Sequence, residues 1–281
     1  MRLRLNAAGL TDVGLEREHN EDAIYYLVTR DARDEPVGLF IVADGVGGQL
    51  AGELASHWAV ASARESLRDL LSPPGPDQTE PAGSDRTPVL APLRSVTTRP
   101  ADRDSLRQRV LRAVQAANRT VRAQAQAQPI EAGNAGTTLT MALVYGDMAI
   151  VANVGDSRTY LLRGGEMRQI TRDHSLIAGL VASGNVKPEE AYTHPVRNVI
   201  VRSLGREAEV EVDLFVEQLY SGDTLLLCSD GLWEMVREDA VLASTVRGAA
   251  TSMDASRALV DAANAGGGVD NISVIVVRVE A

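Results

Sequence analysis

Residues 39–48 read LFIVADGVGG. The first five are apolar and have the length of a buried β-strand, and they run straight into Asp44 and a glycine-rich turn. The pattern recurs twice. TLLLCSDG, residues 224–231, delivers Asp230 from a second apolar run. GVDNISVIVV, residues 268–277, places Asp270 at the entrance to a third. A bare carboxylate inside a core loses its charge or destabilises the fold. Three of them at the ends of three core strands imply that something positive sits among them.

At 281 residues and 44 % apolar composition, the chain can build a sizeable core, as one large domain or two small ones. No run approaches the roughly 20 apolar residues of a membrane span. The opening MRLRLNAAGL is too short and too alternating for a signal peptide. A single cysteine, Cys228, excludes an internal disulfide. Its apolar strand makes it an inert buried thiol, and the expected location is cytoplasmic. The net charge of −10 argues against nucleic acid, which needs a basic patch. Acidic composition suits solvated surface, and equally a carboxylate-rich cation site.

Strand patterns dominate both ends of the chain. LRLNAAGL, AIYYLV and residues 37–43 come first. A helix is expected over about 52–71, with Leu54, Trp58 and Ala61 on one face. A second is expected over about 105–128, striped by Leu106, Val110, Val114 and Val121 and ended by Pro129. Residues 72–104 are rich in Pro, Ser, Thr, Gly and Asp, carry no period, and are read as a flexible surface insertion. Between residues 137 and 216, TTLTMALVYG, MAIVANVG, SRTYLLRGGEMRQIT and EVEVDLFV suggest an antiparallel meander, with RGGE as a hairpin turn. Residues 175–205 are mixed. A helix over 254–265 and the strand NISVIVVRV close the chain. Segregated strands and helices favour an α+β sandwich over a doubly wound parallel sheet.

Magnesium and manganese prefer oxygen ligands, and magnesium keeps several waters, so a few convergent carboxylates suffice. Asp44, Asp230 and Asp270 are the candidates. Glycine permits a sharp turn, so the Gly45 carbonyl is a further candidate. A lone Asp-Gly pair is ordinarily a turn; three following or opening apolar runs are not so easily explained. TDVGLEREHNEDA, residues 11–23, adds Arg17, Glu21 and Asp22 at the start of a strand. Alone it is a charged loop. Beside a metal site, Arg17 suits capture of a phosphate, and Glu21 and Asp22 suit orientation of metal-held water. Such a set points to phosphoryl chemistry. The sequence contains no GxxxxGK[ST] phosphate loop, no HExxH or Cys/His cluster for zinc, and no GxSxG nucleophile turn.

With these motifs assembled, the chain resembles the bacterial form of the PPM-type, or type 2C, metal-dependent Ser/Thr protein phosphatases. The ordered segments that carry the resemblance are TDVGLEREHNEDA, VADGVGG, AGTTLTMALV, VANVGDSRTYLLRGGEMRQIT, RDHS, THPVRNVIVRSLG, LLLCSDGLWEMV and VDNISVIVV. They span nearly the whole chain outside the proline-rich segment. The resemblance implies a four-layer α-β-β-α sandwich, two central antiparallel sheets flanked by helices, as one domain over 1–281 with a flap over about 175–204. It also implies two Mn2+ or Mg2+ ions in a cleft at one edge of the sandwich. Asp44 would bridge both, the Gly45 carbonyl would bind one, and Asp230 and Asp270 the other. Glu21 and Asp22 would act through water, and Arg17 would hold the substrate phosphate. Asp156, in NVGDSR, matches a position that helps hold a third, weaker ion; it is equally a turn aspartate between strands.

Where eukaryotic relatives read DGHGG, with a histidine that supplies the leaving-group proton, this chain has Val46. His19 and His174 are nearest by motif, but a structural role is favoured for each. The implied activity is hydrolysis of phosphoserine and phosphothreonine in proteins by a bridging metal-bound hydroxide, without a phosphoenzyme. The partners would be phosphorylated substrates of a Ser/Thr kinase in a signalling pathway, with no nucleic acid or membrane, and the chain a monomer. The alternatives are a phosphatase of small phosphoesters and a catalytically silent binding scaffold.

Overall fold

The computed structural model describes residues 2–48, 50–71 and 102–281. Its strands are β1 (Arg4–Asp12), β2 (Asp22–Arg30), β3 (Pro36–Val46), β4 (Gly136–Thr137), β5 (Leu139–Tyr145), β6 (Met148–Val154), β7 (Arg158–Arg163), β8 (Glu166–Gln169), β9 (Asp213–Gln218), β10 (Thr224–Cys228) and β11 (Ile272–Glu280). Its helices are α1 (Leu50–Ser66), α2 (Arg68–Leu71), α3 (Arg103–Ala127), α4 (Pro129–Ala132), α5 (Leu176–Ala182), α6 (Pro188–Ala191), α7 (Asp230–Trp233), α8 (Asp239–Gly248) and α9 (Ser252–Ala265). One sheet runs β1-β11-β10-β7-β8; the other runs β2-β3-β5-β6-β9, with β4 paired to the end of β3. The pairings are antiparallel.

Strand alternation explains why the apolar runs are continuous. Successive side chains point to opposite faces, and here both faces are covered. On β3, Leu39, Ile41 and Ala43 pack against α1 and α3, together with Ala55, Ala59, Leu106 and Val110. Phe40 and Val42 face the other sheet and meet Leu225, Leu227, Ile275 and Val277. The opposite faces of β10 and β11, Leu226, Val274 and Val276, pack under Trp233, Leu242 and Leu259 from α7, α8 and α9. Three apolar layers thus separate four layers of structure, in the order α-β-β-α. Burial of each such side chain contributes about 1.5–3 kcal/mol, so the apolar layers by themselves give the sandwich ample cohesion.

Three expectations need correction. The strands over 137–216 are not one meander. β5 and β6 form a hairpin, and so do β7 and β8, through Gly164 and Gly165 as RGGE suggests. Between β6 and β7, however, the chain leaves one sheet for the other, and β7 pairs with β10 instead. Gly155, at φ +105°, makes that crossing beside Thr138, where a Cβ would come within 2.6 Å. Alternation specifies a strand's faces but not its partner, so the crossing is invisible locally. On α1 the stripe turned fully into the core is Ala51, Ala55, Ala59 and Ala63, while Leu54 and Trp58 pack at its margin and Ala61 is exposed. The small stripe lets α1 lie close to β3. Lastly, α3 begins at Arg103, with the Asp102 carboxylate accepting from the Ser105 amide as N-cap, so residues 102–104 belong to the helix boundary. The rest of the expected insertion lies outside the described residues. Stripe residues Leu106, Val110, Val114 and Val121 are all buried, and Pro129 opens α4.

Candidate active site

The polar end of the inter-sheet layer answers why a core strand ends on a carboxylate. Asp44 follows Phe40 and Val42 on the face of β3 that looks at the second sheet. Asp22 lies directly opposite it across the β2–β3 ladder. Like charges so placed repel. Asp230 is the first residue of α7, where the chain turns after β10. Asp270 precedes β11, its Oδ1 accepting from the Asn271 amide at 2.8 Å. Asp156 sits at the sheet crossing and is only 3 % exposed.

These carboxylates act on one another. Burial first, then the charge of Asp230, with Asp22, Asp156 and Asp270 behind it, holds the Asp44 carboxyl well above the usual carboxylate range. Burial, then Asp156 and Asp270, does the same to Asp230. Asp22 is pushed up to about 7 by burial, against the opposing hydrogen bonds of Ser273 and Ser229. Asp156 also rises to about 7, through burial and then the charge of Asp173. One oxygen each of Asp156 and Asp230 is buried with no hydrogen-bond partner. Buried polar atoms are rarely left so.

The loop over residues 11–23 is fastened to this cluster. The Asn271 amide donates to the Val13 and His19 carbonyls, both at 2.9 Å, and its Oδ1 accepts from the Glu21 amide at 2.8 Å. Gly14, at φ +80°, has no room for a side chain: a Cβ would lie 2.3 Å from the Asp270 carbonyl oxygen. So held, Arg17 donates from Nη2 to Asp270 Oδ2 at 2.7 Å at the rim of the cluster. Glu21 lays its carboxylate on the first turn of α1, with Oε2 1.9 Å from where a Gly52 Cβ would stand. Gly45 is wedged between the carbonyls of Gly52 and Glu21, 2.2 and 2.6 Å from the place of its own missing Cβ. Any larger residue at Gly45 or Gly52 would separate the turn from the helix.

Sequence reasoning missed the hydroxyls that support the carboxylates. Ser229 Oγ donates to Asp22 Oδ2 at 2.8 Å and accepts from the Ser273 amide at 2.9 Å. Thr138 Oγ1 accepts from the Asp44 amide at 3.0 Å and lies 2.7 Å from Ser157 Oγ, just before β7 of the other sheet. Part of their signal was present: Ser229 stands beside Asp230 and Ser157 beside Asp156. His174 is structural. It is 8 % exposed, its Nδ1 accepts from the Gly155 amide at 3.1 Å, and its Nε2 lies 3.0 Å from Arg202 Nη1 and 3.5 Å from Asp213 Oδ2. Burial, then Arg202, lowers its pKa, favouring the neutral ring. His19 lies on the exposed loop. Residues 175–204 hold α5 and α6 and are tied down by bridges Ser175–Ile200 and Thr137–Leu204.

An all-oxygen, like-charged set with two partnerless buried oxygens fits a hard divalent cation. The fit is incomplete in one respect. Among the described residues, no three Asp, Glu, His or Cys side chains close on a single ion-sized point, and Asp270 is engaged by Arg17. Few direct side-chain ligands, completed by backbone and water, is the habit of magnesium.

Comparison with known proteins agrees with this architecture. The pattern of the protein phosphatase 2C family matches residues 16–263. The Ser/Thr phosphatase Stp of Listeria innocua is 34 % identical over 274 residues, which are 98 % of this chain and 96 % of that one. The crystal structure of the Mycobacterium tuberculosis Ser/Thr phosphatase PstP superposes with a TM-score of 0.77 at 35 % identity, covering 100 % of both chains. A structure of the PstP catalytic domain in complex with two manganese ions gives 0.74 at 33 % identity, covering 99 % of this chain and 100 % of that one. With its sandwich and its strand-end aspartates in the expected order, the chain belongs to the protein phosphatase 2C family, the metal-dependent Ser/Thr protein phosphatases of bacterial PPM type, and is an enzyme of that kind.

Proposed function

We propose that this phosphatase hydrolyses phosphoserine and phosphothreonine in proteins with two Mn2+ or Mg2+ ions held by Asp44, Asp230, Asp270 and the Gly45 carbonyl. The observation that carries this reading is the inter-sheet layer ending in mutually repelling carboxylates, with partnerless buried oxygens on Asp156 and Asp230. When bound, such ions supply an activated water for in-line attack, without a phosphoenzyme, and neutralise charge on the phosphoryl group. Glu21 and Asp22 would orient water around them. The Asp22 carboxylate is fixed for that task by Ser229. Arg17 presents a guanidinium at the rim, where it exchanges Asp270 for the substrate phosphate. The partnerless oxygen of Asp156 favours the third-ion reading over that of a turn residue.

In this reading residues 1–281 form a single phosphatase domain. It acts as a cytoplasmic monomer in signalling, on substrates of a Ser/Thr kinase, and engages neither nucleic acid nor membrane. Among the described residues no helix is long and apolar enough to cross a membrane. The test is turnover of a phosphothreonine peptide and of free phosphometabolites by protein stripped with chelator and then given manganese. Manganese-dependent turnover of the peptide is expected. Full activity in chelator would overturn the metal mechanism, and turnover confined to metabolites would favour the small-phosphoester alternative. Binding without turnover of either would favour a scaffold.

A further inference from the structure

The chain carries a net charge of −10, and several of its arginines are neutralised by carboxylates. Arg158 pairs with Asp173, Arg163 with Asp223, and Arg202 with Glu211 and Asp213. Arg122 and Arg206 differ. Arg122, on α3, donates from Nη1 to the Arg206 carbonyl. The Arg206 guanidinium, exposed, makes no hydrogen bond or ion pair among the described residues. The two line a cavity of about 630 Å3 with Gly47, Gly133, Asn134 and Gly205.

This cavity adjoins the candidate active site. Gly47 is three residues from Asp44, at most about 10 Å of extended chain. Arg206 Nε and Val46 Cγ2 lie 3.3 and 3.2 Å from the point where a Gly136 Cβ would stand, which places the arginine beside the catalytic turn. The arginine loop is also built rather than loose. Asn118, 1 % exposed, accepts from the Gly205 amide at 2.8 Å and donates to the Glu207 and Ala208 carbonyls at 3.1 and 3.3 Å. A buried amide spent on holding residues 205–208 fixes Arg206 in position.

We infer that Arg122 and Arg206 form a second anion subsite, which takes a phosphate or carboxylate side chain of the protein substrate a few residues from the phosphorylated one. The inference rests on the protein phosphatase reading and specifies its substrates: segments with acidic or multiply phosphorylated flanks. An arginine head free of protein partners, with a second arginine lining the same cavity, suits such an anion, and on an acidic protein it offers an acidic segment a place to land.

The test uses three peptides identical but for one residue, two to four positions from the scissile phosphothreonine: phosphothreonine, glutamate or alanine. The readout is the ratio of kcat/KM between flanked and alanine peptides within each protein, which cancels changes at the shared reaction centre. The wild type should prefer a flanked peptide about tenfold, the size of two modest exposed ion pairs. Arg206→Lys should keep the preference, Arg206→Ala should lose most of it, and Arg206→Glu should invert it. A preference for the second phosphothreonine alone would assign the subsite to phosphate; preference for glutamate as well would assign it to anions in general. Equal rates on all three in the wild type, or a preference that survives Arg206→Glu, would overturn the proposal. If p-nitrophenyl phosphate is turned over and no peptide is, the protein-phosphatase reading fails separately. Binding of non-hydrolysable phosphonate versions then decides the subsite, and equal affinity of wild type and Arg206→Glu would overturn it.

Discussion

Two buried polar regions lie side by side in this molecule and are built on opposite rules. In one, every charge has its partner. Arg158 donates to both oxygens of Asp173 and to the Tyr160 hydroxyl, and stacks 3.6 Å above the Trp233 ring. Trp233 in turn donates to the Asp156 carbonyl oxygen at 3.0 Å. In the other, Asp22, Asp44, Asp156, Asp230 and Asp270 crowd together with Arg17 as their cation at the rim, and two oxygens have no partner. The first region is a strut, and its energetics close within the chain. The second does not close within the chain, which is the reason for proposing it as the place of function.

The comparison is broken most directly at its acidic side. Asp44→Asn and Asp230→Asn should each reduce turnover by well over about 100-fold, beyond what loss of a supporting residue around a metal produces. The chelated variants should nevertheless melt higher than chelated wild type at neutral pH, since a repelling charge is gone. Activity assays and thermal melts in chelator check both halves. A variant that is inactive because it is unfolded would show that the carboxylates hold the fold.

At the paired side the signs reverse. Asp173→Ala should lower stability by about 3–5 kcal/mol, because Arg158 is left mostly buried and uncompensated. Denaturant unfolding measures this, and a loss below about 1 kcal/mol would place the pair among ordinary surface bridges.

Arg17 stands between the two regions. Loss of a charge-assisted hydrogen bond to substrate predicts a KM for phosphopeptide raised by about tenfold or more in Arg17→Ala. Metal affinity should stay at the wild-type level or improve, since Asp270 is released. Metal loss at unchanged KM would make Arg17 structural.

The smallest effect is a pH dependence. In the metal-free fold Asp22 and Asp156 titrate near 7, against an ordinary 3.8 in the unfolded chain. Between those values the folded chain binds more protons, so the contribution of these two groups to stability falls as pH rises from about 4 to 7. Melting temperatures in chelator should decline over that window and recover with manganese at its upper end. A flat profile would mean that the carboxylates are relieved by some other cation.

The proposed site was legible in residues 39–48, 224–231 and 268–277, because an apolar run that stops on Asp, or starts just after it, beside Gly, Ser or Asn is unusual physics wherever it occurs. Leu106, Val110, Val114 and Val121 were legible for a similar reason: a helix repeats its face every few residues, and the repeat is written in order along the chain. Tertiary structure alone decided what lies opposite. Ser229 reaches Asp22 across 207 residues of sequence and Asn271 reaches the Glu21 amide across 250. The passage of the chain from one sheet to the other at Gly155 leaves no mark in the alternation of β6 or β7. The partnerless oxygens of Asp156 and Asp230, and the Arg206 guanidinium beside Val46, exist only once that packing is complete. Local periodicity tells each side chain which way to face; the company it meets there is chosen by the closure of distant strands, whose partners a period of two cannot name.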